Sequence, residues 1–364
     1  MCIRDRAYGA PGALYSLLQE HTGFRTLIIA ICGSSRFLAD LLRRDPALLD
    51  SLVSQASQGL EPSQVRGDLH AIARMQNKSL LRIGADDLMG LATEEETFLR
   101  LTELGEEVLQ AVYGLAWRPL VRRWGKPRNR QGRDVRFAVL AGGKFGGREV
   151  DFGSDLDLFF VYEGDGKTRR GVPNSVFFTE FSQRLIALLA EEGLYSVDAR
   201  LRPEGASAPM AISLVGYRRY LAQRAASWER MALSRARQVA GDAEFGARVL
   251  RAIERFVYNR EVEAALVAQM QEMRQRMEPQ GKRQARINIK RGPGGIVDIE
   301  FVAQVLVLKW GYRDRGLRVG STRHALQLLI EQGYLDPEWG HFLLDAYEYL
   351  RAVEKGMRLS LIHI

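Results

Sequence analysis

The chain has 364 residues, a formal net charge of +8, 46% hydrophobic and 26% charged residues, a composition that excludes a disordered tail, a collagen-like fibre and a low-complexity linker. The length allows one large domain or two to three ordinary ones, each able to bury its own core. Two cysteines and five scattered histidines exclude a disulfide scaffold and a Cys-rich zinc site, and the longest apolar stretches, 27–32 and 302–308, are far too short to span a bilayer.

Residues 1–6 (MCIRDR) and 359–364 (LSLIHI) match translations of a sequencing-transposon end and of its reverse complement. Both are expected to be adaptor sequence, the chain to be a fragment, and the natural protein to run past both ends. Cys32, beside Gly33, is then the remaining thiol. It is expected to be a small core hydrophobe in a protein of the reducing cytoplasm.

From residue 7 to 120 the pattern is helical nearly throughout. Phe37, Leu38, Leu41 and Leu42 recur at helical spacing, Asp45-Pro46 breaks the run, and 47–53 restarts it. Residues 54–64 read as a polar loop, and a second helix is expected over 65–87. Thr93 followed by three glutamates predicts a capped helix over 94–117. The basic stretch 118–134, with two prolines and two glycines, reads as an exposed linker. The character then changes. Strands are expected at 135–141 and 156–162, the second almost wholly apolar and so buried, with an amphipathic helix over 174–192. A half-buried strand is expected over 195–201, where Tyr195, Val197, Ala199 and Leu201 share one face and Ser196, Asp198 and Arg200 the other. From Ser213 the chain reads as helical to the end, interrupted by a basic, glycine-rich segment at 281–295. The fold class is therefore α+β, mostly helical: a small α/β unit between two helical regions.

The most informative segment is 141–162, AGGKFGGREVDFGSDLDLFFVY. Asp155 and Asp157 alternate with leucines, so on a strand both carboxylates share one face while the leucines enter the core. Adjacent carboxylates raise each other's pKa, and a divalent cation relieves the repulsion; Mg²⁺ favours a few carboxylates plus phosphate oxygens. If the strand carrying Asp198 lies alongside, three carboxylates converge, the donor set of a two-metal site. Gly142, Gly143, Gly146 and Gly147 follow a strand and precede a short helix, as a phosphate-approaching loop would. The loop is neither a P-loop nor a dinucleotide fingerprint. Taken singly, each feature has a bland reading, a solvated strand end or an ordinary turn.

Together they resemble the order of the polymerase-β-like nucleotidyltransferases. The likeness then narrows. Residues 142–157, 197–205 (VDARLRPEG), 227–230 (SWER), 232–242 (ALSRARQVAGD) and 290–301 (KRGPGGIVDIEF) resemble, in the same order, the glutamine synthetase adenylyltransferase/adenylyl-removing enzyme family. The likeness covers most of 25–355. That family carries two related halves, one attaching AMP to a tyrosine of glutamine synthetase and one removing it by phosphorolysis. Residues 32–50 and 81–88 resemble the segment joining the halves. The late motif reads Val297-Asp298-Ile-Glu300-Phe301 where the removing half more often has Arg-Glu-Ile-Glu-Phe. The adenylylating half is therefore expected.

The resemblance implies a catalytic domain over 131–258, preceded by a helical connecting region over 7–130 and followed by a helical bundle over 259–358. It implies Asp155, Asp157 and Asp198 as ligands of two Mg²⁺ ions, Asp198 also as candidate base, and ATP as substrate. Gly142, Gly143, Lys144 and Ser154 would cradle phosphates, and Arg200, Arg202, Arg237 and Lys290 are further candidates at the nucleotide. Arg235 and Arg237 are read as sharing a helix two residues apart, one of them in a surface ion pair. Trp228 and Glu229 are read as packing plus a partner for an arginine. Implied partners are glutamine synthetase, with a PII-type signal protein and glutamine as regulators. Neither a membrane nor a nucleic acid is expected, since the basic residues are dispersed rather than set in a stripe with stacking aromatics. The competing readings are the adenylyl-removing half, a nucleic-acid nucleotidyltransferase and a non-catalytic interaction module.

Overall fold

A computed structural model describes residues 11–53, 68–203, 205, 208–278 and 288–360. The loop expected at 54–64 and the segments 1–6 and 361–364 lie outside the described residues. The fold is α+β and mostly helical, with a small mixed sheet.

The N-terminal region comprises α1 (Pro11–Glu20), α2 (Thr22–Ser34), α3 (Arg36–Arg44), a 3₁₀ turn (Pro46–Leu49), α4 (Asp50–Val53), α5 (Leu69–Leu88) and α6 (Glu94–Trp124). Ser35 caps α3, its Oγ accepting from Leu38 N, and Asp45 caps the 3₁₀ turn with Pro46 behind it. Leu38 and Leu41 are buried, and Phe37 and Leu42 pack on the same core. Cys32 corrects one expectation: it is exposed. Phe24 and Ile31, seven residues apart, carry the buried face of α2, and Cys32 is turned about 100° from Ile31.

The predicted cap at Thr93 is a full capping box: its Oγ1 accepts from Glu96 N while Glu96 Oε2 accepts from Thr93 N at 2.8 Å. Thr93→Ala is expected to cost about 1 kcal/mol, readable as a lower urea midpoint at unchanged slope. Helix α6 does not stop at the predicted linker. It continues to Trp124 through Pro119, because Val108, Leu109, Val112, Ala116 and Leu120 form one buried face. Burial of that face outweighs the roughly 3 kcal/mol that an interior proline costs. The rest of the basic stretch is not a free linker either, since β1 (Pro127–Asn129) pairs antiparallel with β4 (Gly166–Thr168).

The main sheet runs β5 (Val197–Asp198), β3 (Leu156–Tyr162), β2 (Phe137–Ala141), β7 (Arg237–Gly241), with β6 (Ala211–Ser213) also on β3. Strands β2 and β7 are antiparallel to their neighbours, whereas β5 and β6 run parallel to β3. Alternate residues explain why β2 and β3 are apolar on both faces. Phe137, Val139, Leu158 and Phe160 join the N-terminal helices and α8 (Asn174–Glu191) in one core. Ala138, Leu140, Phe159 and Val161 join the C-terminal helices in another.

Two expectations fail here. The strand predicted over 195–201 pairs only at Val197 and Asp198, because Asp198 Oδ1 accepts from Arg200 N and turns the chain. The segment expected to be helical from Ser213 onward contains β7. Gly241 is required at its end: φ is +92°, and an added Cβ would collide with the Phe137 carbonyl. The remaining helices are α9 (Leu214–Gln223), α10 (Glu229–Leu233), α11 (Ala243–Val257), α12 (Ala264–Met277), α13 (Ile296–Gly311), α14 (Thr322–Glu331) and α15 (Pro337–Ser360), with α7 (Gly143–Gly146) before β3. Helix α15 returns to the start of the chain. Leu359 O accepts from Ser35 Oγ, and Lys355 Nζ lies 2.6 Å from Asp87 Oδ1. Among the described residues no helix is long and apolar enough to cross a membrane.

Candidate functional site

Strand β3 carries Asp157, and Asp155 stands just before its first residue. The parallel pairing sets Asp157 directly beside Asp198 of β5. The three predicted carboxylates therefore meet at one sheet edge. Burial, then the charge of Asp198, then that of Asp155, push the Asp157 carboxyl up to about 6. Asp198 goes the other way. Arg200 Nε grips both of its oxygens, at 2.9 and 2.8 Å, and holds its carboxyl below the usual range. Among the described residues no three carboxylate, histidine or cysteine side chains are arranged to hold a metal as they stand. The chemistry of the donors nonetheless fits a hard cation. Burial and then the repulsion of its neighbours raise Asp157, and Asp198, the lowered member of the set, is relieved by a cation, Arg200.

The glycine loop closes on this edge. Gly142 N donates to Asp157 O at 3.0 Å. Gly143 has φ +51°, and a Cβ there would collide with Asp157 Oδ2, so only glycine lets the loop lie against the carboxylate.

Several predicted phosphate ligands have other employment. The Gly142 amide serves the sheet. Ser154 is buried, its Oγ accepting from Asp151 N at 3.1 Å within a turn. Arg200 holds Asp198 rather than an open anion site. Arg202 Nη1 donates to Ala199 O at 2.8 Å, and Glu204, its alternative partner, lies outside the described residues. Arg237 opens β7, not a helix. It reaches Glu106 at 2.6 Å and the Phe145 and Gly146 carbonyls, tying the glycine loop to α6. Arg235, expected on the surface as an alternative, is 5% exposed and pairs with Glu149. Trp228 is 40% exposed, and Glu229 accepts from Tyr220 Oη and Ala226 N rather than from an arginine. Asp298 pairs with Arg274 and accepts from Gly294 N, closing the second glycine loop, while Glu300 lies 3.9 Å from Arg235.

Lys144 and Lys290 converge on a residue that spacing did not reveal, Glu354 of α15. Burial, then the Arg351 charge, bring the Lys144 amine down to about 8. Burial alone would raise the Glu354 carboxyl, but Lys144, Arg351 and Arg358 together hold it at about 2. A second buried carboxylate, Glu149, accepts from Thr322 N at 2.6 Å, Ser321 Oγ and Arg235. The two networks join Glu149 and Lys144 to helices 173 and 210 residues later. The only local hint was the run of acids at 149, 151, 155 and 157; nothing in the sequence marks their distant partners.

The chain matches the family model described as glutamate-ammonia ligase adenylyltransferase over residues 25–252, and one described as GlnD PII-uridylyltransferase over 264–361. It is similar to proteins called bifunctional glutamine synthetase adenylyltransferase/adenylyl-removing enzyme. The relative from Thioalkalivibrio sulfidiphilus is 32% identical over 92% of this chain and 37% of its own length. That from Methylococcus capsulatus is 32% identical over 94% and 38%, and that from Xanthomonas campestris 34% over 90% and 36%. The chain thus spans a little over a third of the curated relatives it matches.

Proposed function

Because the chain belongs to the glutamate-ammonia ligase adenylyltransferase family, we propose that it carries a nucleotidyltransferase site that moves AMP from ATP to a tyrosine hydroxyl of glutamine synthetase. The observation that carries the reading is the meeting of Asp155, Asp157 and Asp198 at the β3–β5 edge, with Asp157 raised to about 6 by burial and by the other two. The order of strands and carboxylates suits a polymerase-β-like arrangement, and the setting suits a protein of the cytoplasm.

Asp155 and Asp157 are the residues that would hold Mg²⁺, with Asp198 joining them as Arg200 yields it; two ions are expected. Bound there, Mg²⁺ supplies charge neutralisation on the phosphates. The chain's own residues do the rest. Asp157 and the Gly143 backbone define the floor on which the nucleotide lies. Asp198, ionised beside Arg200 before the cation takes that guanidinium's place, is the candidate acceptor of the tyrosine proton. The tyrosine oxygen forms a bond to the α-phosphorus, and the bond to pyrophosphate breaks. Such transfers depend on positioning and electrostatics more than on covalent help from the protein.

The test incubates the purified chain with glutamine synthetase, Mg²⁺ and α-labelled ATP. Label on the synthetase that requires Mg²⁺ is the expected result. If pre-adenylylated synthetase instead loses AMP only when phosphate is added, the site is the removing half. Silence in both directions overturns the reading.

A further inference from the structure

Two glycine-bearing loops far apart in sequence, 142–147 and 288–295, each send a lysine to one carboxylate. Lys144 Nζ is 2.8 Å from Glu354 Oε2, and Lys290 Nζ is 3.9 Å from Glu354 Oε1. The same carboxylate takes Arg351 Nη1 at 2.8 Å and Arg358 Nη2 at 3.2 Å. Four cations therefore surround Glu354. Further carboxylates surround these cations: Asp151 lies 3.5 Å from Arg358 Nε, and the charges of Glu300 and Glu149 act on Lys144 and Arg351. Glu354 is buried, but the Lys290 side chain is 44% exposed, and the cluster opens to solvent there. Lys144 directly follows Gly143, whose backbone presses on Asp157. The lysine–carboxylate cluster thus begins one residue from the carboxylate edge.

An ammonium carries three donors, and the Glu354 contact occupies one of those on Lys144. At 3.9 Å Lys290 is attracted to Glu354 without being hydrogen-bonded to it. Without the carboxylate the two ammoniums would repel, and the buried one would favour its neutral form.

We propose that Glu354 is a positioning residue: from α15 it gathers Lys144 and Lys290 into one pair that receives the phosphate tail of the nucleotide. The proposal rests on the reading of ATP as substrate. It makes the C-terminal helix, outside the stretch matched by the adenylyltransferase family model, part of what sets nucleotide affinity.

The experiment is a MgATP titration by calorimetry on the full chain, with Glu354→Gln, Lys144→Met, Lys290→Met and the Lys144→Met/Glu354→Gln double variant. Glu354→Gln is expected to raise the MgATP Kd about tenfold, the scale of one charge-assisted hydrogen bond. The double variant should match Lys144→Met closely, because Glu354 acts largely through Lys144. A merely structural Glu354 would lower the melting temperature or the fraction of binding-competent protein while leaving Kd unchanged. That result, or strictly additive effects, overturns the proposal. Should Glu354→Gln not fold, the Lys144→Met/Lys290→Met pair decides: strong coupling supports a shared cradle, and additivity overturns it. If the wild-type chain binds MgATP but never labels glutamine synthetase, the protein-substrate reading fails and the proposal stands. If it labels the synthetase while the variants bind normally, the proposal alone fails. If it does not bind MgATP, both fall.

Discussion

Asp157→Asn is expected to lower AMP transfer by about a thousandfold or more while raising the melting temperature. The two readouts part company because the same buried, crowded charge serves the site and burdens the fold. Asp157 sits buried beside Asp198 and Asp155, and its carboxyl is pushed from 3.8 to about 6. A carboxyl whose folded pKa is raised binds its proton more tightly in the folded state. The cost of ionising it is absent below about pH 4, grows as pH rises towards 6, and is complete above. At neutral pH it is of order 3 kcal/mol, and asparagine, which is never charged, removes part of it. The gap between variant and wild-type stability should therefore widen from pH 4 to 6 and then level off. Mg²⁺ should raise the melting temperature of the wild type, which holds the cation only when folded, and leave the variant nearly unmoved. A variant that keeps a tenth of the activity, or that melts lower than wild type at pH 7, would sink the assignment of Asp157.

Arg235→Leu is expected to cost about 3–5 kcal/mol of stability, the scale of leaving one partner of a buried ion pair uncompensated. Arg235 is 5% exposed, pairs with Glu149, and donates to Gly320 O at 2.7 Å. Its loss leaves the Glu149 carboxylate with the neutral donors Thr322 N, Ser321 Oγ and Thr322 Oγ1 and, for opposite charge, Arg351, which hydrogen-bonds the Glu149 carbonyl rather than the carboxylate. Urea unfolding measures the loss. Adding Glu149→Gln to Arg235→Leu should recover part of it, because the stranded charge is then gone and the hydrogen-bond acceptor remains. No recovery, or a loss below about 1 kcal/mol, would mean the pair is weaker than a buried ion pair of this kind.

Much of the fold was legible because it follows local rules. Thr93 and three glutamates announce the start of α6, and the run at 156–162, apolar but for Asp157, announces a buried strand. The period-2 placement of Asp155 and Asp157 put two carboxylates on one face without reference to anything distant. Where a local signal met a stronger tertiary one, the local signal lost. Pro119 read as part of a boundary, yet the helix runs on through it because its buried face continues to Leu120, and it stops only at Gly125, whose φ is +76°. Residues 237–241 read as helix, yet they pair with β2 because that strand needs a neighbour for its backbone groups. Trp228, read as packing, is 40% exposed.

The candidate site divides in the same way. The sequence by itself determined the residue types, the shared face of Asp155 and Asp157, and the glycine at 143, because spacing on a strand and the room beside a backbone are local geometry. Only the tertiary structure decided that Asp198 lies beside Asp157, that Arg200 holds Asp198, and that Lys144 and Lys290 meet on Glu354. A buried charge must find an opposite charge wherever the fold supplies one, and the partner's distance along the chain carries no weight in that search.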